Sequence, residues 1–423
     1  MNQPSANGAA NGADAFAALR HADFRRLITG NFLFTIGLLM QEVVIGYKLY
    51  TLTHQPLVLG LIGLAEAVPF IALALFGGHI ADRGNRKRIM RRCLLFILAG
   101  SLVLLWVMQP ASLARLPRAT VLGIIYGVIA ALGFARGFLT PATNSLKPFL
   151  VPRALYPNSS AWSSAAWQAG AILGPMTAGF AYAAIGLTAT LASVVVLIAA
   201  ALWSFMSIRT VPPAAPPPPP GASLWDSLRE GIGFVFRSKI LLYSITLDLF
   251  SVLFGGVVAI LPVYAADILK VGAEGLGVLR AAPSIGAMLT VLACTRFPPT
   301  GHAWRNLLVS IAGFGIATLV FAVSKIFWLS ILALFLTGAF DSVSVVIRGT
   351  ILQVMPPDHL RGRVLSVNSI FVTSSNELGA FESGVAAQLL GTVPSVVIGG
   401  SMTLLIVAWV WLRSKDLFGV KLV

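Results

Sequence analysis

The chain has 423 residues, of which 57% are hydrophobic and only 11% are charged. This composition excludes an ordinary soluble domain and favours a polytopic helical membrane protein. A formal net charge of +15 would suggest a nucleic-acid partner in a soluble protein, but the positions of the basic residues, described below, argue against one.

Residues 1–20 are rich in Ala, Gly and Asn without an apolar core, so we expect a flexible cytoplasmic tail and not a cleaved signal peptide. The remainder predicts an all-α membrane protein with twelve spans, at about 20 apolar residues per crossing. In chain order, spans 1–12 are predicted at residues 24–48, 57–81, 89–109, 119–141, 160–184, 186–207, 239–264, 274–295, 304–323, 326–349, 364–390 and 393–413.

The longest predicted loop, residues 208–238, separates an N-terminal bundle of six spans at 21–207 from a C-terminal bundle at 239–414, which is followed by a cytoplasmic tail at 415–423. Five consecutive prolines at 216–220 exclude a helix and favour an extended chain. Apolar residues then recur at helical spacing, which predicts a short amphipathic helix on the membrane surface: Trp225, Leu228, Ile232, Val235 and Phe236.

The two bundles repeat each other weakly. Phe24-Arg25-Arg26 precedes span 1 as Phe236-Arg237-Ser238 precedes span 7, and Leu59-Gly60 opens span 2 as Leu276-Gly277 opens span 8. Two parallel six-span repeats are typical of secondary transporters.

The basic residues are distributed unevenly across the predicted spans. Twenty-two of the thirty Lys and Arg residues fall on the side of the N-terminus and two, Arg136 and Arg348, fall within spans. This asymmetry predicts that both termini are cytoplasmic, and it explains the net charge without nucleic acid. The six basic residues assigned to the other side are Lys48, Arg115, Arg118, Lys270, Arg280 and Lys325.

The loop between spans 2 and 3 combines one acid, Asp82, with several bases. An aspartate at a helix end can accept charge-assisted hydrogen bonds from a guanidinium and tie adjacent helices together. The alternative is that these charges only fix the topology, although acids contribute little to that rule.

Two motifs resemble those of the major facilitator superfamily. The loop after span 2 matches through Gly78, Asp82, Arg83, Arg86 and Lys87. The resemblance implies a cytoplasmic gate at Gly78, Asp82, Arg83 and Arg86. Span 5 matches the family's antiporter motif, which implies close helix packing and proton-coupled exchange, through Gly170, Gly174, Pro175 and Gly179. A plain packing face is the alternative for span 5.

Further residues place the resemblance in the branch of enterobactin-type siderophore exporters and related drug exporters. They are Arg136 with Pro141, Asn144 and Pro152, and Gln353 to Pro357 followed by Arg361-Gly362-Arg363. This branch implies export of a siderophore or an amphipathic drug-like compound, and hence a contribution to multidrug resistance.

Ionisable residues inside spans cost about 2.5 to 3.5 kcal/mol each, so each needs a cavity, a partner or a function. Helical spacing groups several of them into polar stripes. These stripes predict one aqueous cavity for substrate and protons, lined by Glu42, Arg136, Asp248, Asp341, Arg348 and Glu377.

Arg136 and Asp341 each lie sixteen residues before a proline, Pro152 and Pro357. If the repeats superpose, these opposite charges face each other across the cavity as a charge pair or as alternating partners; a permanent buried ion pair is the alternative. For the proton carrier we favour Glu377 and Asp341 over Glu42, Asp248 and Glu66.

The sequence therefore predicts a monomeric secondary transporter of a bacterial inner membrane, with protons, a small molecule and membrane lipids as its partners. Proton-coupled efflux by alternating access is the favoured function. An importer, a lipid flippase and a non-transporting scaffold or sensor are alternatives. No phosphate-binding loop, metal cluster or nucleophile motif is recognisable, so we expect neither enzymatic activity nor a cofactor.

Overall fold

The computed structural model describes residues 14–83, 85–210 and 224–419, apart from the side chains of 74–83, 224–228, 358, 359, 370 and 373. Within this part of the chain, long helices account for nearly all of the structure, and the predicted fold class is confirmed.

Spans 1–4 are Ala22–Thr53, Pro56–Arg83, Arg86–Val107 and Arg118–Leu146. Spans 5 and 6 are the two arms of Tyr156–Met206, which bends at Gly186. Span 7 covers Lys239–Ile268, and spans 8–12 are Gly272–Arg296, Ala303–Val323, Phe327–Val354, Asp358–Leu390 and Thr392–Arg413. Short α-helices lie at Pro110–Arg115 and Leu224–Arg237. Short 3₁₀ turns in the described residues lie at Ala18–Arg20, Lys147–Phe149, Arg153–Leu155 and Lys415–Leu417.

Two glycine-containing sites interrupt the long helices. Gly186 has φ of 78°, a backbone conformation that other residues adopt at a cost, and it allows spans 5 and 6 to reverse direction. Span 7 breaks after Gly255, where its first helix, Lys239–Gly255, gives way to the 3₁₀ turn Val257–Ile260.

Successive spans run in opposite directions, so their ends lie at two opposite faces of the bundle. The terminal face contains the start of span 1 and the end of span 12, and the far face contains the turn between spans 1 and 2. In the N-terminal half, span 1 packs on spans 5 and 6, and span 2 packs on span 4; in the C-terminal half, span 8 packs on span 10, and span 11 packs on span 7. The halves meet where span 2 crosses span 11 and where span 5 crosses span 8.

The hydrophobic core is divided unequally between the ends. One cluster joins the N-terminal half to the far-face end of the C-terminal half, through residues such as Leu261, Tyr264 and Leu276. A second cluster, which includes Leu241 and Trp304, belongs to the terminal-face end of the C-terminal half. The halves therefore share one core at the far face, whereas the terminal-face end of the C-terminal half packs separately.

Part of the predicted flexible tail is ordered. Asn158 and Trp162 of span 5 donate hydrogen bonds to the Ala15 carbonyl at 2.9 and 2.8 Å, and the Ala18 amide donates to Asn158 Oδ1 at 3.0 Å. Ala18 is fully buried. Polar groups of span 5 thus satisfy backbone groups of Ala15 and Ala18 within the predicted tail.

The predicted amphipathic helix forms at Leu224–Arg237. Val235 is buried in the second cluster, whereas Ile232 and Phe236 are exposed. Arg363 at the start of span 11 donates to Glu230. The helix is therefore docked on the C-terminal half with an apolar edge left uncovered, as expected at a membrane surface.

Candidate functional site

Spans 5 and 8 cross at a pair of glycines near the far face. A Cβ at Gly179 would lie 2.4 Å from the Ala273 carbonyl oxygen, and one at Gly277 would lie 2.6 Å from the Pro175 carbonyl oxygen. Only glycine permits this approach between the halves. Gly170 and Gly174 of the same motif instead contact span 1, at Thr35 and Leu39. The span 5 motif thus faces two neighbours.

Spans 2 and 11 repeat this arrangement on the opposite side of the bundle. A Cβ at Gly384 would lie 2.7 Å from the Gly60 backbone nitrogen, and one at Gly63 would lie 2.9 Å from the Ala380 Cβ. Gly60 and Gly277 occupy matching places in the sequence repeats, after Leu59 and Leu276. The two crossings are therefore related by the pseudo-twofold symmetry. Gly60 was recognised from the sequence only as a marker of the repeats, and its contact with Gly384 was not predicted.

Polar contacts link the halves beside these crossings. The Tyr50 hydroxyl of span 1 donates to the Asp267 carboxylate at the end of span 7. Nearer the middle, Gln168 Nε2 of span 5 donates to the Ser284 carbonyl of span 8 at 2.6 Å. The Tyr50–Asp267 contact lies near the far face and the Gln168–Ser284 contact lies at the middle of the bundle, so the seal is on the far-face side.

Glu42 and Arg280 form a further link between the halves, from span 1 to span 8. The charge count assigned Arg280 to the outer surface, and this was wrong: the residue lies within span 8, and its side chain is only 13% exposed. An arginine inside a span requires a partner, and this rule could have identified Arg280 as a member of an ion pair from the sequence.

Arg136 of span 4 pairs with Glu66 of span 2, inside the N-terminal half. The predicted charge pair between Arg136 and Asp341 is therefore not formed in this conformation. The physical reason is proximity, because span 2 packs directly on span 4 and supplies a carboxylate next to the guanidinium. A cavity of about 30 Å³ beside Glu42, Glu66 and Arg136 has room for about one water molecule.

Arg348 of span 10 pairs with Asp248 of span 7 in the C-terminal half. Their side chains are only 7% and 6% exposed. Arg348 Nε also donates to Ser344 Oγ at 3.1 Å, as expected from the polar stripe on span 10. This pair is the most deeply buried ion pair among the described residues, and it holds spans 7 and 10 together.

Two of the predicted cavity carboxylates, Asp341 and Glu377, form no ion pair within 4 Å in the described structure. Asp341 lies within electrostatic range of Arg348 and Asp248. Glu377 lies within electrostatic range of Arg136 and Glu42. The other predicted carboxylates, Glu42 and Asp248, each pair with an arginine, so the structure separates the two groups.

Glu377 lies at the interface between the halves. Its Oε2 atom is 3.9 Å from the position that a Cβ would occupy on Gly63 of span 2, one helical turn from the close contact at Ala380. Movement of span 11 against span 2 would therefore change the surroundings of this carboxylate directly.

The predicted gate lies largely outside the described side chains. Gly78, Asp82 and Arg83 fall within span 2, but their side chains are not among those described. Arg86 is described: its guanidinium lies 5.0 Å from the centre of the Phe149 ring, and the residue is only 7% exposed. In this conformation Arg86 packs within the N-terminal half, by a cation–π contact.

The chain matches a known protein family over nearly its whole length. Residues 13–417 match the family described as transmembrane secretion effector, a branch of the major facilitator superfamily. The chain belongs to this family. It is accordingly a multi-pass membrane protein and a secondary transporter, and not an enzyme.

Curated relatives of this chain include enterobactin exporters. The enterobactin exporter EntS of Shigella boydii serotype 4 is 25% identical over 392 residues, which cover 91% of this chain and 90% of the relative. The EntS protein of Salmonella typhi is 25% identical over 384 residues, covering 90% and 89%.

Several solved structures share the fold of this chain. The D-xylose–proton symporter superposes with a TM-score of 0.71 at 14% identity, covering 95% of this chain and 99% of that structure. A bacterial homologue of the human lysosomal transporter Spinster, in an inward-facing and unoccupied conformation, gives 0.67 at 16% identity, with 94% and 96% coverage.

Replacement of Gly179 by valine should prevent the far face of the transporter from closing, because the added side chain would overlap the Ala273 carbonyl. We expect a Leu276→Cys reporter, whose site is fully buried in this conformation, to react with a membrane-impermeant maleimide in this variant. The native cysteines are replaced by serine in all samples. Gly123→Val is the matched control, since a Cβ there meets nothing within 4 Å. Equal labelling of the two variants would contradict the assignment of this crossing as a seal.

Proposed function

We propose that this protein exports a small organic molecule from the bacterial cytoplasm in exchange for protons, by alternating access across the inner membrane. The observation that carries the proposal is the pair of carboxylates without ion-pair partners, Asp341 and Glu377, inside a transporter bundle. Such groups can gain and lose protons without breaking an ion pair.

The position of the seal supports a cycle in which the far face is closed in this conformation. Two glycine crossings, Gly60 with Gly384 and Gly179 with Gly277, join the halves there. Ser366 and Ser369, in the terminal-face half of span 11, are exposed, which is consistent with an aqueous opening at that end. The excess of basic residues around the terminal face supports a cytoplasmic location for it.

The coupling step that we propose takes place at Glu377. Opening of the far face would separate span 11 from span 2 at Gly63 and expose the carboxylate to water on that side, where it takes up a proton. Reclosure would return the neutral side chain to the interface. In the conformation with the far face closed, the proton then leaves Glu377 toward the terminal face.

The family description and the EntS relatives support export of a siderophore-like or amphipathic drug-like substrate. Purified protein in proteoliposomes tests the direction of coupling, with ethidium and enterobactin as probes. An interior-acid pH gradient should drive accumulation of at least one probe, because protons leave as substrate enters. Accumulation only under an exterior-acid gradient would show symport, and so contradict the proposal in favour of the importer alternative.

A further inference from the structure

A second cavity is lined only by residues of the C-terminal half. It has a volume of about 180 Å³ and lies among spans 7 to 11. Its polar lining residues are Asp341 and Thr337 of span 10, Thr318 of span 9 and Asn376 of span 11. A cavity of this size accommodates a small organic headgroup, at about 30 Å³ per water-sized unit.

The break in span 7 gives one wall of this cavity a negative polarity. Gly255, Gly256, Val257 and Val258 line it where the helix Lys239–Gly255 ends. The last four carbonyls of a helix lack intrahelical partners, and the helix dipole places its negative end there. The carbonyl oxygens of Val252, Leu253 and Phe254 lie against Gly379 of span 11 and Gly399 of span 12, and the Gly256 carbonyl accepts from Ser383 Oγ at 3.0 Å. The negative end of the helix dipole, and not a free carbonyl, therefore gives this wall its polarity.

When it is ionised, Asp341 adds a negative charge to the same cavity. No Lys, Arg or His is among the described residues that line it. The nearest base, Arg348, is engaged by Asp248 and by Ser344 Oγ. Two carboxylates thus share one guanidinium, which leaves one negative charge to be balanced when both are ionised.

Two aromatic rings complete the lining. Phe314 and Phe321 of span 9 border the cavity together with Val252 and Leu334. Aromatic rings contact apolar groups and attract cations through their faces. The walls therefore suit a positively charged group that is attached to an apolar body.

We propose that this cavity binds the headgroup of an amphipathic organic cation, with Asp341 as its counter-ion. The inference rests on the proposed function, since it names the substrate class of the same transporter. A proton on Asp341 removes the counter-ion, so proton and cation bind in competition. Arg348 of span 10 and Asp248 of span 7 are the charged groups that face Asp341; the described lining of spans 8, 9 and 11 contributes no titratable group.

Equilibrium binding of two probes of similar size and opposite charge tests this inference on the full chain in detergent, without a gradient. Phenyltrimethylammonium should bind at about pH 8, and benzenesulfonate should bind at least about tenfold more weakly. Binding of the cation should weaken at about pH 5.5, because a protonated Asp341 no longer attracts it.

Asp341→Asn should weaken binding of the cation by at least about tenfold, whereas Asp341→Glu should retain part of it. Glu382→Gln is the matched control, because Glu382 lies in the same half but does not line this cavity. Equal binding of both probes, no binding of the cation to the wild type, or undiminished binding to Asp341→Asn would overturn the inference.

Transport measurements separate this inference from the proposed function. If the cation binds as described but no pH gradient drives transport of any probe, the proposed coupling fails and the binding site stands. If an interior-acid gradient drives accumulation of enterobactin while phenyltrimethylammonium does not bind, only the substrate class is wrong.

Discussion

Glu377→Gln is expected to abolish gradient-driven accumulation of substrate while leaving counterflow largely intact. A potential of 100 mV supplies about 2.3 kcal/mol per proton, or about a 40-fold concentration ratio. The glutamine amide at position 377 cannot exchange protons at the interface between spans 2 and 11. The ratio of substrate concentrations inside and outside should therefore fall to about 1. Substrate accumulation in proteoliposomes under an interior-acid gradient measures the effect.

Glu382→Gln provides the control on the same helix. Glu382 also lacks an ion-pair partner among the described residues, but it lies in a small cavity within the C-terminal half, lined by Phe254 and Ser383. We expect it to retain accumulation. If Glu377→Gln accumulates substrate as well as the wild type does, Glu377 is not the coupling residue.

Arg348→Met should produce the largest loss of stability among single substitutions of the predicted cavity residues. It leaves Asp248, with its side chain only 6% exposed, without a positive partner. Removing one member of a buried ion pair costs about 3 to 5 kcal/mol, because the remaining charge is neither solvated nor paired. Unfolding of the purified protein by SDS in mixed micelles measures the difference in the free energy of unfolding.

The double variant Asp248→Asn with Arg348→Met should recover most of that stability, since no charge of the pair is then left without its partner. Lys239→Met is a second control. The Lys239–Asp416 pair is exposed, at 44% and 57%, so its loss should cost less than about 1 kcal/mol. A double variant no more stable than Arg348→Met would show that the two residues do not act as a pair.

The sequence alone was sufficient to predict the membrane-spanning helices. Each span is a long apolar segment, and its hydropathy does not depend on the helices that pack against it. The helix Leu224–Arg237 followed from local composition in the same way, whereas the five prolines at 216–220 lie outside the described residues. The selection of Asp341 and Glu377 as the proton-carrying candidates agrees with their lack of ion-pair partners, although proton exchange at either residue stays a prediction.

Pairing between helices was beyond the sequence. The sequence repeats made Asp341 a candidate partner of Arg136, yet Arg136 pairs with Glu66 in this conformation, since the choice of partner depends on which helices touch. Gly384 has no distinctive local pattern, and its role emerges only from its contact with Gly60. Arg280 was assigned to the outer surface because the basic residues were sorted by the nearer end of their span. Their depth within the span was not considered.

The two glycine crossings and the carboxylate at Glu377 suggest how sealing and proton exchange are joined. Glu377 lies on the helix that carries Gly384, and both residues face span 2. Separation of these helices would open the far face and change the surroundings of the carboxylate in the same movement. Coupling in this account needs no signal transmitted over a distance.

Proton movement caused by substrate alone tests the central claim most directly. Proteoliposomes of the full chain contain a pH-sensitive dye, with equal pH on both sides and the membrane potential held at zero. Addition of a transported probe outside should make the interior alkaline in the wild type and leave it unchanged in Glu377→Gln. Acidification of the interior, or probe entry without any pH change in the wild type, would contradict proton-coupled exchange.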